Sequence, residues 1–193
     1  MSDDDFNAGN YVLNNNSSTA SVINQGTITA SDGGYVVLAG QKVSNEGVIN
    51  ARLGHAALAS GEKVSLNFNG NSLVSVNVDK ETVDALVENK QAIYADGGVV
   101  TMTAKAANKA LENVVNNEGI IQAHSISKKN GVIRLDGGDN GQVVNSGILD
   151  ASGKNKGESG GSIIVEGKII HQAGAAKLDA SGSAGGGANF IGG

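Results

Sequence analysis

Cysteine, proline and tryptophan are all missing from this 193-residue chain, and aromatic residues make up only 3% of it. Without Cys there are no disulfides, Cys zinc sites or thiol nucleophiles, so any chemistry must rest on oxygen and imidazole groups. A net charge of -5 leaves no basic surface to neutralise phosphates, and the few Tyr and Phe offer no base-stacking platform, which excludes nucleic acid as a partner. No apolar run approaches the roughly 18 residues of a membrane span, and Met1 to Asn10 is acidic where a signal peptide is basic and then apolar. The expectation is a soluble mature protein, or a piece of one, with no membrane insertion.

Glycine is what the chain has in excess. Its 29 residues are about twice the usual share of ~7%, yet they follow no strict three-residue period and no Pro accompanies them, so collagen is excluded. An apolar content of 39% argues against disorder.

The order of residues explains the composition. Val22-x-Asn24-x-Gly26-x-Ile28-x-Ala30 recurs at Val43, Asn45, Gly47, Ile49 and Ala51, and at Val115, Asn117, Gly119, Ile121 and Ala123. It returns at Val143, Asn145, Gly147, Leu149 and Ala151, and a copy through Val87, Asn89, Gln91, Ile93 and Ala95 lacks only the Gly. A second segment follows each copy, opening at Gly34, Gly54, Gly98, Gly131 and Gly161, with aliphatic residues two and four positions on. Period two with one apolar face is a strand signature.

Successive motif Asn residues lie 21, 44, 28 and 28 positions apart. The step of 44 suggests two coils, one of them diverged. These spacings predict an all-β chain, a parallel β-helix (β-solenoid) of roughly seven coils, each adding about 4.8 Å. Each inward position becomes a column of small aliphatics, in a bore too narrow for aromatics. Asn24, Asn45, Asn89, Asn117 and Asn145 are read as a structural hydrogen-bonded ladder, and Gly26, Gly47, Gly119 and Gly147 as turn positions needing positive φ or close approach of coils.

The chain reads as one β-helix segment over 1–193. Within it, 63–78 is a hairpin around Asn69-Gly70-Asn71 or a diverged coil, and 183–193 is a Gly-rich end or truncated coil. Asp79 to Asn89 and Ala104 to Asn113 read as short helical segments.

The run from Asn24 to Gly40, then Val43 to Ala51 and Leu58 to Leu66, resembles the filamentous-haemagglutinin-like exoproteins of bacterial two-partner secretion. So do Asp96 to Ala104 and Val114 to Ala123. The resemblance implies a right-handed parallel β-helix and a rigid, adhesive segment of a large secreted surface adhesin, with roles in cell adhesion, biofilm and virulence. It implies an outer-membrane pore transporter as secretion partner, host-surface or matrix glycans as contacts, an extracellular location, a monomeric fragment and no enzyme activity. The family's secretion domain carries Asn-Pro-Asn motifs; with no Pro here, the chain resembles the section just after that domain, and Asp3 to Phe6 resembles the junction segment.

Other chemistry is weakly signalled. His55, His124 and His171 share no column and no ligand spacing, so they read as surface residues, and neither metal nor cofactor is expected. Gly137 to Gly141 is one imperfect unit of a calcium-binding nonapeptide, and the Thr pairs Thr27/Thr29 and Thr101/Thr103 do not extend into an ice-binding array. Arg134 and Asp136, two apart on an outward face and followed by Asp139, form the best enzymatic candidate. They would suit a carbohydrate-active or carbohydrate-binding β-helix protein, against the simpler reading of a surface ion pair and a turn.

Overall fold

A computed structural model describes residues 1, 3–16, 18–107 and 113–193. Three six-stranded parallel sheets run the length of a right-handed parallel β-helix. The first contains β2 (Ser21–Asn24), β5 (Lys42–Asn45), β10 (Leu86–Asn89), β13 (Asn113–Asn117), β16 (Gln142–Asn145) and β19 (Ile169–Gln172). The second contains β3 (Thr27–Thr29), β6 (Val48–Asn50), β11 (Ala92–Tyr94), β14 (Ile120–Gln122), β17 (Ile148–Asp150) and β20 (Lys177–Asp179). The third contains β4 (Tyr35–Gly40), β7 (His55–Ser60), β12 (Val99–Ala104), β15 (Val132–Asp136), β18 (Ser162–Glu166) and β21 (Ala188–Gly192).

Register follows the sequence motif. Val43 and Asn45 pair with Val22 and Asn24 on one side and with Val87 and Asn89 on the other. The step of 44 is therefore one coil carrying an insertion, which corrects the two-coil reading. Among the described residues six rungs stack, in place of the predicted seven. The second to fifth coils send the same five inward positions into the core: Val43, Ile49, Ala51, Ala56 and Leu58 in the second, Val115, Ile121, Ala123, Ile133 and Leu135 in the fourth, all buried. Fully burying one such Val, Leu or Ile is worth about 1.5–3 kcal/mol, and repetition of the column makes the gain recur coil after coil.

The inserted residues form an antiparallel hairpin, β8 (Lys63–Asn69) and β9 (Ser72–Lys80), with Gly70 at its turn. β1 (Val12–Asn14) adds to β8, making a three-stranded sheet outside the solenoid. It lies against the outer face of the third sheet, where Val64, Leu73, Val76 and Val78 pack on Ala57 and Ala59 in a second apolar cluster. Alanines on the solenoid strand let the two sheets approach closely. A short helix, α1 (Asp3–Asn7), precedes this sheet, and its Phe6 starts an edge-to-face series through Tyr11 and Phe68 to Tyr35.

The helical reading of Asp79 to Asn89 is wrong. Lys80 ends β9 and Leu86 to Asn89 is a ladder strand, because Val87 and Asn89 hold solenoid register and the pairing on both sides overrides local propensity. Of the second segment, Ala104 ends β12, Asn113 begins β13, and residues 108–112 lie outside the described residues.

Candidate functional site

The Asn ladder is continuous. Asn24 Nδ2 donates to Asn45 Oδ1, Asn45 to Asn89, Asn89 to Asn117 and Asn117 to Asn145, each at 2.8 Å. Asn145 then donates to Gln172 Oε1 at 2.9 Å, so a longer side chain continues the column where the motif has lapsed. Asn45 and Asn89 use their second hydrogen on the Ala92 and Ile120 carbonyls of the following coil. Buried amides need such partners, and here each supplies its neighbour's.

At the next corner position the reason for glycine is close approach. A Cβ on Gly47, Gly119 or Gly147 would fall on the carbonyl oxygen of Gly26, Gln91 or Gly119 in the preceding coil, while none of these glycines has positive φ. Where Gln91 replaces the Gly, the Ala92 N–H to Gly47 carbonyl bond is 3.3 Å, against 2.9 Å for Val48 to Gly26 one coil earlier.

The third sheet carries the predicted polar cluster. Arg134 and Asp136 point outward from β15 and Asp139 follows in the exposed turn. Arg134 pairs with Glu166 of the next coil, a partner not foreseen from single-strand spacing. Asp136 accepts the Gly138 N–H at 2.8 Å and so fixes the turn. Asp136, Asp139, Glu166 and Lys168 line one open cleft of about 590 Å³, bounded by Gly192 and Gly193.

A polar group that sequence reasoning missed lies at the corner after the second sheet. His124 Nε2 stands 3.0 Å from Asp150 Oδ2 and its Nδ1 3.5 Å from Asp96 Oδ1, linking three successive coils. Lys154 reaches the same Asp150 oxygen at 3.0 Å. Partial burial alone would raise the Asp150 pKa, but hydrogen bonds from Ser152, His124 and Lys154 prevail and hold the carboxyl far below its ordinary value. The signal was present: Asp96 and His124 are 28 positions apart, one coil step. Among the described residues no cluster of His and carboxylates is placed to hold a metal ion.

The surface reading holds for exposed His171 but fails for His55, which is only 3% exposed. Its position does face outward, as its strand alternation says; the hairpin covers it. Its Nε2 lies 2.9 Å from Thr101 Oγ1.

No family model matches the chain. Over 62 residues it is 37% identical to a heme/hemopexin-binding protein of Haemophilus influenzae, a match covering 32% of this chain and 6% of that protein. It therefore spans a small part of that relative's length. The HMW1 secretion domain of Haemophilus influenzae superposes with a TM-score of 0.67 over 94% of this chain and 56% of that one, at 19% identity, which shows a shared fold. Both likenesses agree with the resemblance to two-partner-secretion exoproteins. No helix among the described residues is long and apolar enough to cross a membrane.

Proposed function

We propose that the chain, similar in repeat and fold to two-partner-secretion exoproteins, is a non-enzymatic structural and adhesive segment: a stretch of rigid stalk in a large secreted surface adhesin of the filamentous-haemagglutinin type. The uninterrupted ladder supports this most directly. Five side-chain amide bonds and three parallel sheets join six coils, so force applied along the axis is shared across many backbone bonds at every rung. At about 4.8 Å per step, the first and last rungs are about 24 Å apart. On this reading the parent protein leaves through an outer-membrane pore transporter, is displayed outside the cell, and meets host-surface or matrix glycans there.

The cleft beside Asp136 and Asp139 favours a second reading, a carbohydrate-active or carbohydrate-binding β-helix. Against turnover, Arg134 and Asp136 are already engaged, in an ion pair and in a turn. Incubation with acidic and neutral polysaccharides tests both readings, and a glycan array run alongside tests adhesion. The stalk reading expects no product release; sustained release abolished by Asp136→Ala would establish the enzyme instead. Glycan binding without release would keep the adhesive role, and its absence would reduce the segment to a spacer.

A further inference from the structure

We propose that the β8–β9 hairpin is an acid-releasable cover, whose tip is lifted from the third sheet when His55 takes a proton. This inference is independent of the stalk reading, since it concerns only how the outer sheet is seated.

The geometry carries it. His55 begins β7 on the outward face, directly across from Tyr35 of β4 and Val99 of β12. β9 crosses above it, with Leu73 over the His55 end and Val78 over Gly61 at the base. One ring nitrogen is satisfied by Thr101, while Nδ1 is sealed from water without a hydrogen-bond partner in good geometry. Burial pushes the ring's pKa below its ordinary value, and the Leu73 backbone offsets this only in part. An imidazolium has two N–H donors and a full charge to solvate, and among the described residues neither of the groups that meet the ring, Thr101 and the Leu73 backbone, is an anion.

The surrounding groups do not change that conclusion. On the flanking strands the titratable neighbour is the Tyr35 phenol. The charged residues at the corners leading into β7 and β12, Arg52 and Asp96, are taken up by Asp32 and His124. The hairpin's own charges, Lys63, Asp79 and Lys80, lie at its base, away from the tip; there Lys80 pairs with Glu62 and Asp79 with Ser65. The base is pinned by polar pairs, while the tip rests on apolar and aromatic contact and on the Leu73 backbone beside His55, so the inexpensive way to hydrate a charged His55 is to raise the tip.

The sign follows from linkage. Because the seated state holds His55 less protonated than the open state, seating is complete above the ordinary His pKa near 6.5 and weakens as pH falls through it. Between that value and the lower seated-state pKa, opening rises toward tenfold per pH unit for one proton, and below the seated-state pKa it levels off.

The test is hydrogen exchange of the full chain from pH 7.5 to 4.5, corrected for the intrinsic pH dependence of exchange. The expected result is loss of protection in β8 and β9 while β15 and β16 stay protected, with His55→Gln abolishing the pH dependence. Protection of the hairpin down to pH 4.5, or the same loss in His55→Gln, would overturn the proposal. Should that variant fail to fold, NMR titration of the wild-type His55 ring decides: its protonation must coincide with hairpin opening, and a charged His55 under a protected hairpin refutes the cover.

Discussion

The outer face of the third sheet is one surface treated in two ways. Across β7 and β12 it lies under the hairpin; across β15, β18 and β21 no described element covers it. Inside the bore the two halves match, with Leu58 and Met102 in one and Leu135 and Val165 in the other. Outside they diverge. A single outward column reads Val37, Ala57, Thr101, Arg134, Ile164 and Phe190 along the stack, small and uncharged where covered, long or charged beyond it. The interior is dictated by the coil, and each rung's exterior by its particular neighbour.

Breaking what the two halves share should have the largest effect. Asn117→Ala removes the acceptor of Asn89 and the donor to Asn145, leaving two buried amides short of a partner, for a loss of about 3 kcal/mol at ~1–3 per unsatisfied group. Urea unfolding measures it, and a loss below about 1 kcal/mol would mean that the ladder is ornamental to stability. Next comes a paired substitution in the outward column. Ala57→Arg places a long cation beneath the hairpin and is expected to cost about 2 kcal/mol or more, while Ile164→Arg, three coils further on, should stay within about 0.5 kcal/mol. Equal effects would erase the distinction between covered and bare halves.

A smaller effect attaches to the His124 corner. The depressed Asp150 pKa means that its contribution to stability is present above the ordinary carboxyl value of 3.8 and is lost as pH falls below it. The wild-type melting temperature should therefore drop more steeply below pH 4 than that of Asp150→Asn, measured by circular dichroism. Smallest is Arg134→Ala, which breaks an exposed ion pair and should cost no more than about 0.5–1 kcal/mol, less at high salt. A larger and salt-independent loss would show that the bare half is held by something other than surface charge.

The bore was legible because it is periodic. Val, Asn, Gly, Ile and Ala recur at fixed offsets, and strand pairing preserves those offsets from rung to rung, even through the copy in which Gln91 stands for Gly. The hairpin was one of two readings of 63–78, but its seat over the third sheet was not legible, because a single insertion has no second copy against which to set its register. From that one gap followed the extra coil in the count and the misplacement of His55 on the surface. The Asp79 to Asn89 segment failed for a related reason: its composition suits a helix, but Val87 and Asn89 belong to columns set by residues more than 25 positions away. At Arg134 the alternation of one strand showed the direction of the side chain but not its partner, which lies a full coil later.

The amide column also has a direction. Every motif Asn donates toward the higher-numbered coil, and from Asn45 on each accepts from the lower, so the side-chain dipoles align head to tail along the axis. No single amide can be turned over without setting donor against donor on one side and acceptor against acceptor on the other. The orientation is thus a property of the whole row, reversible only in concert, and aligned bonds polarise one another. The side chains in this way add an arrow of their own to the direction that the parallel coils already have.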